Sequence, residues 1–210
     1  MINKALAARC AIGIVGGLLL TGAGTAAFAD PSSPEGSSDV NVDVQIPAVP
    51  DGALSLTVAG AQASLTEQGS TATYRQFTGA LPNVTVTDTR ANIPAGVYWY
   101  VTGQASDFVG TNNQANITPD HLGWAPKLIT ENNGEVSEGD TVQTSVDGGT
   151  NGVGLVGKEL LELALDSASA KATSGQWTAN AGLVLKTPVD VTPGSYSSKL
   201  TLSLFEDNLD

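Results

Sequence analysis

The feature that most limits how this chain can fold is an apolar period of two residues. Across residues 40–46, and again across residues 54–58, apolar residues alternate with polar ones. Successive side chains of a strand point to opposite faces, so each run predicts a strand with one buried and one solvated face. The same pattern, less regular, predicts further strands at residues 84–87, 97–102, 141–146, 177–185 and 196–204.

Short turn sequences separate these runs. Pro193-Gly194 places a proline and a glycine as a type II turn requires, directly before the 196–204 run. Residues 158–171 have some helical character, but their leucines fit a strand equally well, and we favour a strand followed by a loop. Many short strands with almost no helix predict an all-β chain, an immunoglobulin-like antiparallel β-sandwich.

The first 29 residues have the composition of a secretory signal peptide. Lys4 and Arg9 precede an apolar run at residues 10–20, and the small residues Ala27 and Ala29 stand where a signal peptidase cuts. The apolar run is too short to cross a bilayer core of about 30 Å. We therefore expect an exported protein with three parts: a signal peptide at 1–29, a flexible linker at 30–39 and a single domain at 40–210.

Cleavage after Ala29 changes the composition of the chain. It removes the single cysteine and two of the nine basic residues but none of the 21 acidic ones, which leaves a formal net charge of −14. Without cysteine the mature chain forms no disulfide, so its stability must come from packing. The negative charge argues against nucleic acid and anionic lipid as partners. We also expect no transmembrane segment in the mature chain, because no long apolar run follows the signal peptide.

Few residues could support catalysis. His121 is the only histidine, and no Gly-x-Ser-x-Gly motif occurs. Acidic residues are so numerous that pairs at a glycosidase spacing carry no information. The oxygen-rich loops at residues 135–140 and 147–152 lack the spacing of an EF-hand. We therefore predict no enzymatic activity, no cofactor and no metal site; a secreted hydrolase with a site made of acidic residues is the alternative.

The aromatic residues are the best candidates for binding. On the 97–102 strand, Trp99 points to one face while Tyr98 and Tyr100 point to the other. We expect Trp99 in the core, which leaves the two tyrosines as an exposed platform for sugar rings or a partner. Trp177 heads a mostly apolar face and is also expected inside. Trp124, in a Gly-Trp-Ala-Pro sequence, is predicted to lie in a loop and to be the best contact residue of the three.

Two segments carry a family resemblance. Residues 81–90, followed by Gly96 and Trp99, resemble the Val-x-Asp-x-Arg and Gly-Trp segment of WxL-type surface domains of Gram-positive bacteria. Residues 193–204 are similar to the final Gly-x-Tyr-x-x-x-Leu-Thr-Trp-x-Leu strand of that family, with leucine in place of the tryptophan. The structural positions that carry this divergent resemblance are Asp88, Arg90, Gly96, Trp99, Trp177, Tyr196, Leu200, Leu202 and Leu204.

The resemblance implies an exported β-sandwich that is held on peptidoglycan without a covalent bond, often beside other surface proteins. We therefore expect a non-catalytic cell-envelope module whose partner is a cell-wall polymer or another surface protein. A further alternative is a subunit of a surface filament that donates the 40–46 strand to a neighbour. Asp88 and Arg90, at the end of one predicted strand, are expected to form an ion pair.

Overall fold

The strands form where apolar side chains alternate, and turns rich in glycine and proline end them. The computed structural model describes residues 51–131 and 133–209, all within one compact unit, Ala48–Asp210. The predicted strand at residues 40–46 lies outside the described residues. In chain order the described strands are β1 (Leu54–Val58), β2 (Thr66–Glu67), β3 (Tyr74–Ala80), β4 (Val84–Asp88), β5 (Val97–Ala105), β6 (Val109–Gly110), β7 (Leu122–Leu128), β8 (Ser137–Glu138), β9 (Glu159–Ala164), β10 (Gln176–Pro188), β11 (Tyr196–Ser197) and β12 (Leu200–Asn208).

Little helix accompanies these strands in the described part of the chain. One α-helix, α1 (Ser167–Thr173), follows β9, and short 3₁₀ turns occupy Pro119–His121 and Gly154–Val156. Asp166 caps α1 by accepting hydrogen bonds from the backbone nitrogens of Ala168 and Ser169, at 3.0 and 3.1 Å. The strand predicted within residues 158–171 is therefore confirmed, but the loop predicted after it is wrong.

β10 is the centre of the first sheet. β4 and β3 lie end to end along one edge of β10, so that Gln176 is opposite Thr87 and Pro188 is opposite Tyr74. β7 pairs along the other edge of β10, while β1 and β2 pair with β4 and β3, respectively. All these pairings are antiparallel. The long strand β10 thus holds three others in register.

The second sheet has the strand order β12-β5-β9-β8 and is also antiparallel. Val101 is opposite Glu162 and Thr102 is opposite Leu160, so Leu161 is the additional residue of a β-bulge in β9. β6 and β11 form a separate two-residue pairing. The described residues therefore confirm the prediction of an all-β chain.

Side chains from both sheets pack into one hydrophobic cluster. Trp99 of the second sheet and Trp124 and Trp177 of the first are only 1, 1 and 2 % exposed. The indole Nε1 of Trp177 donates a hydrogen bond of 3.2 Å to the carbonyl oxygen of Ala170 in α1. Trp99 and Trp177 thus lie in the core as expected.

The prediction that Trp124 lies in an accessible loop is wrong. Trp124 is within β7, and its ring packs so closely on β5 that a Cβ added to Gly103 would lie 2.6 Å from the ring. The backbone nitrogen of Trp124 donates to Val142 (3.0 Å), on the side of β7 away from β10. The nitrogen of Pro126, two residues on, faces the same side, so this proline removes no bond between β7 and β10.

Two further strand predictions differ from the structure. Residues 141–146 form no strand, because the Asp147 carboxylate accepts hydrogen bonds from N (3.1 Å) and Oγ1 (2.8 Å) of Thr144 and closes a turn. The 196–204 run is divided into β11 and β12. Hydrogen bonds between a side chain and the backbone, such as that of Asp147 with Thr144, compete with strand formation. They do not alter the apolar pattern of the sequence, so that pattern still predicts a strand.

Replacing Trp124 with alanine should lower the free energy of unfolding by about 3–5 kcal/mol, because the lost indole leaves a cavity beside Gly103. Leu165→Ala is the control, since Leu165 is 63 % exposed, and it should change stability by about 0.5 kcal/mol or less. Urea unfolding followed by circular dichroism measures both. A wild-type midpoint for Trp124→Ala would contradict burial of this indole.

Candidate functional site

Three aromatic side chains lie in a row on the outer face of the second sheet. Tyr98 and Tyr100 are two residues apart on β5 and share the face opposite to that of Trp99. β12 adds Phe205, which is directly opposite Tyr100. All three outer rings are half-buried. We call Tyr98, Tyr100 and Phe205 the aromatic ladder.

The rings of the aromatic ladder stack on one another. The centroids of Tyr98 and Tyr100 are 5.9 Å apart with 18° between the ring planes, and those of Tyr100 and Phe205 are 5.2 Å apart with 20°. Nearly parallel rings at these distances overlap with an offset. The ammonium of Lys158 lies 4.5 Å from the centroid of Phe205, within range of a cation–π interaction. Much ring surface is thus used within the ladder, which leaves ring edges and the exposed Lys158 for a ligand.

The phenol of Tyr98 stays neutral at physiological pH. Desolvation by its neighbours, and then the negative charge of Asp207 opposite it on β12, raise its pKa above the ordinary value. A neutral phenol both donates and accepts hydrogen bonds. Asp207 is also a hydrogen-bond partner of this hydroxyl, so Tyr98 keeps its oxygen lone pairs as acceptors for the hydroxyl groups of a polyol or sugar.

The structure brings together only part of the predicted contact set. Tyr98 and Tyr100 lie side by side, whereas Trp124 is buried within the core and cannot touch a ligand. Sequence reasoning missed Phe205. Alternation with the inward-facing Leu204 could have placed Phe205 on an outer face, but only the register of β12 against β5 shows that it meets Tyr100.

Arg90 links the two sheets. Its Nε and Nη2 donate to the Asp88 carboxylate at 2.9 and 2.6 Å, and its Nη1 pairs with Glu206 on β12. The expected pairing of Asp88 with Arg90 is therefore confirmed. Burial alone would raise the pKa of Asp88, but the hydrogen bonds and charge of Arg90 outweigh burial and lower it. Both carboxylate oxygens of Asp88 already bind the guanidinium of Arg90, so this group of ion pairs stabilises the fold.

His121 is not part of a nucleophilic triad. The hydroxyl of Ser145 lies 3.5 Å from Nδ1 of His121. Burial would raise the pKa of Asp120, but hydrogen bonds from Ser145 and Thr118 lower it. In a triad the carboxylate accepts a hydrogen bond from the second nitrogen of the histidine. Asp120 instead bonds to Ser145, the residue that would be the nucleophile. Within residues 51–131 and 133–209, no three His, Asp or Glu side chains group as metal ligands either.

Glu162 is a buried carboxyl without a partner. It is 0 % exposed, and neither side-chain oxygen has a hydrogen-bond partner. Desolvation raises its pKa to about 8. A raised pKa can mark a general acid, but such a group must reach its substrate. Glu162, on the inner side of the bulge in β9, has no access to solvent and instead destabilises the fold when it ionises.

A groove of about 1190 Å³ lies between the first sheet and β12. We call it the edge groove. Leu56 and Phe77 line one side and Leu202 the other. The phenol of Tyr196, also in the lining, already donates to Thr192 at 2.7 Å. Arg75 and Lys199 also line the edge groove, so it combines apolar contact with two cationic side chains.

Comparison of the chain with protein-family models, curated proteins and solved structures gave no match. No helix in the described part of the chain combines the length and the apolar character that a membrane crossing requires. The aromatic ladder and the edge groove are consequently the features from which function can be inferred.

Replacing Glu162 with glutamine should abolish one component of the pH dependence of stability. Because folding raises the pKa of this carboxyl to about 8, its protonated form is favoured in the folded state. The destabilisation that ionisation of Glu162 causes is absent below the unfolded pKa of about 4.3. It grows as the pH rises and reaches on the order of 3 kcal/mol at pH 7.

The free energy of unfolding in urea, measured from pH 4 to pH 8 for wild type and Glu162→Gln, checks this. As the pH rises across this range, the free energy of unfolding of the variant should increase relative to that of wild type. Parallel curves would mean that Glu162 ionises in the folded state as readily as in the unfolded one.

Proposed function

We propose that this chain is an exported, non-catalytic cell-envelope module that binds a carbohydrate polymer of the wall without a covalent bond. The observation that carries the proposal is the aromatic ladder on the outer face of the second sheet, with Lys158 against its end. In this proposal residues 1–29 direct export. The two sheets then form an immunoglobulin-like sandwich that presents the ladder to the wall.

The position of the aromatic ladder supports a binding role. Its rings lie on the face of the second sheet opposite to Trp99, away from the hydrophobic cluster. Stacking fixes the rotamers of these rings before a ligand arrives, so less side-chain entropy is lost on association. Tyrosine also combines an apolar ring with a hydroxyl, which matches the C–H and O–H groups that a sugar presents.

Charge favours a neutral polymer over a phosphate-rich one. The mature chain carries a formal net charge of −14, and Asp207 lies beside the ladder opposite Tyr98. An anionic polymer would be repelled at long range. Binding must then come from short-range stacking and hydrogen bonds, which depend little on ionic strength.

A Tyr98→Ala/Tyr100→Ala variant should bind purified peptidoglycan at least about tenfold more weakly than wild type, because two stacked aromatics are lost. Tyr74→Ala is the matched control. Tyr74 is also half-buried with an ammonium, that of Lys186, 5.0 Å from its ring, but it belongs to β3 of the first sheet. The control should keep wild-type affinity in a cosedimentation assay.

The same assay, repeated in increasing sodium chloride and with a chelator, separates the binding modes. The proposal requires binding that survives both. Loss of binding with the chelator would favour cation bridging through the acidic loops at residues 135–140 and 147–152. Equal binding by the double variant and wild type would exclude the aromatic ladder as the contact surface.

In producing cells the protein should be found in the wall fraction and should be released by a concentrated chaotropic salt. The reason is that non-covalent attachment depends on contacts that a chaotrope weakens. Immunoblots of medium, chaotrope extract and muramidase digest measure the distribution. Recovery only as a series of muramidase fragments would indicate a covalent bond, and recovery wholly in the medium would indicate a free secreted protein.

A further inference from the structure

The edge groove reaches the hydrophobic cluster of the protein. Leu183 and Leu185 of β10 and Leu122 of β7 belong to that cluster and also line the groove. Leu56 of β1 and Leu202 of β12 line it too, and both are only partly buried. A hydrocarbon chain in the groove would therefore leave water for contact with core side chains, which is favourable.

The pairing of β10 with its neighbours orders the lining by polarity. Phe77 of β3 and Leu122 of β7 lie on either side of Leu185, so the three form a row across the inner face of the first sheet. We call them the apolar row. The next pair on this face is Thr187 with Arg75, and all five residues line the edge groove. The lining thus changes from apolar to cationic over about 7 Å.

Two contacts hold Arg75 at the cationic end of the groove. Its Nε and Nη2 donate to the carboxylate of Glu67 at 3.1 and 2.8 Å. Its Cζ lies 5.2 Å from the centroid of the Phe77 ring. The ion pair with Glu67 does not use Nη1, which has two further N–H donors. Arg75 is therefore fixed in place and still able to bind an anionic group.

Lys199 adds a second cation to the lining. It directly precedes β12 and is exposed, and within the described part of the chain no carboxylate forms a salt bridge with it. The chain has 21 acidic residues, yet no described aspartate or glutamate lines the groove. Arg75, Lys199 and Glu67 together carry two positive charges and one negative charge, so one further carboxylate neutralises them.

The volume of the edge groove, about 1190 Å³, is slightly above the range of about 300–1,000 Å³ that is usual for small-molecule sites. Such sites are mostly apolar, with a few polar groups that fix the orientation of the ligand. An apolar row with a cationic end selects a long hydrocarbon chain that carries one negative charge at its end. The neutral sugars that suit the aromatic ladder lack both features.

We propose that the edge groove binds a long-chain fatty acid. Its carboxylate pairs with Nη1 of Arg75 and is attracted by Lys199, while its hydrocarbon chain lies along the apolar row and against Leu202. This site is separate from the aromatic ladder and does not depend on wall binding.

Isothermal titration calorimetry of the purified protein with dodecanoate at pH 7, below the concentration at which micelles form, measures this binding. Dodecanoate should bind at least about tenfold more tightly than octanoate, because more methylene groups enter the apolar row. It should also bind more tightly than dodecanol, which has the same chain but no charge. Equal affinity for dodecanol, or no binding of dodecanoate, would overturn the proposal.

Two variants test the cationic end of the groove. Lys199→Gln should weaken dodecanoate binding by about two- to fivefold and leave dodecanol binding unchanged, because it removes only a charge. Lys127→Gln is the matched control, since Lys127 is also exposed but does not line the groove. Glu67→Gln should strengthen dodecanoate binding, because the charge of Arg75 is then no longer neutralised. Wild-type affinity in both Lys199→Gln and Glu67→Gln would overturn the proposal.

A stearate with a doxyl spin label on its hydrocarbon chain shows where the chain lies. When bound, it should broaden the methyl NMR signals of Leu185 and Leu202. Leu165, which is 63 % exposed and does not line the groove, should keep a sharp signal. Equal broadening of all three leucines would overturn the proposal in favour of non-specific adsorption to exposed apolar side chains.

Discussion

Packing of the indole rings between the two sheets is the interaction on which the rest of the structure depends. The mature chain is expected to have no cysteine, so this contact replaces the cross-links that stabilise many exported domains. Trp99 and Trp124 approach from opposite sheets, and the absence of a side chain at Gly103 gives the ring of Trp124 its place. With Trp99 turned inward, alternation turns Tyr98 and Tyr100 outward. The aromatic ladder is thus a direct consequence of how the core is packed.

Local alternation predicted the strands that have one wet face. β1, β4, β5 and β10 all follow runs whose apolar residues recur every second position, and the burial of Trp99 and Trp177 follows from the same rule. β7 was not predictable in this way, since Gly123 and Pro126 are typical of turns. Its proline is tolerated only because its nitrogen faces away from β10, a fact that depends on the neighbouring strand.

Register explains what sequence could not show about the candidate sites. Phe205 and Tyr100 are more than a hundred residues apart, and their stacking follows from the pairing of β12 with β5. β12 contributes to both surfaces, with Phe205 on its outer face and Leu200 and Leu202 on its inner face. Any ligand that orders the edge of β12 therefore also fixes the ring on which Tyr100 rests.

The arrangement of β10 has a consequence for how the first sheet opens. Ala179 pairs with β4 on one side and β7 on the other, and Gly182 pairs with β3 and β7 in the same manner. β10 cannot separate from one neighbour without leaving unpaired backbone groups in the middle of the sheet. These four strands accordingly form a single cooperative unit, while β1 and β2, each held along one edge only, can fray from it at lower free energy.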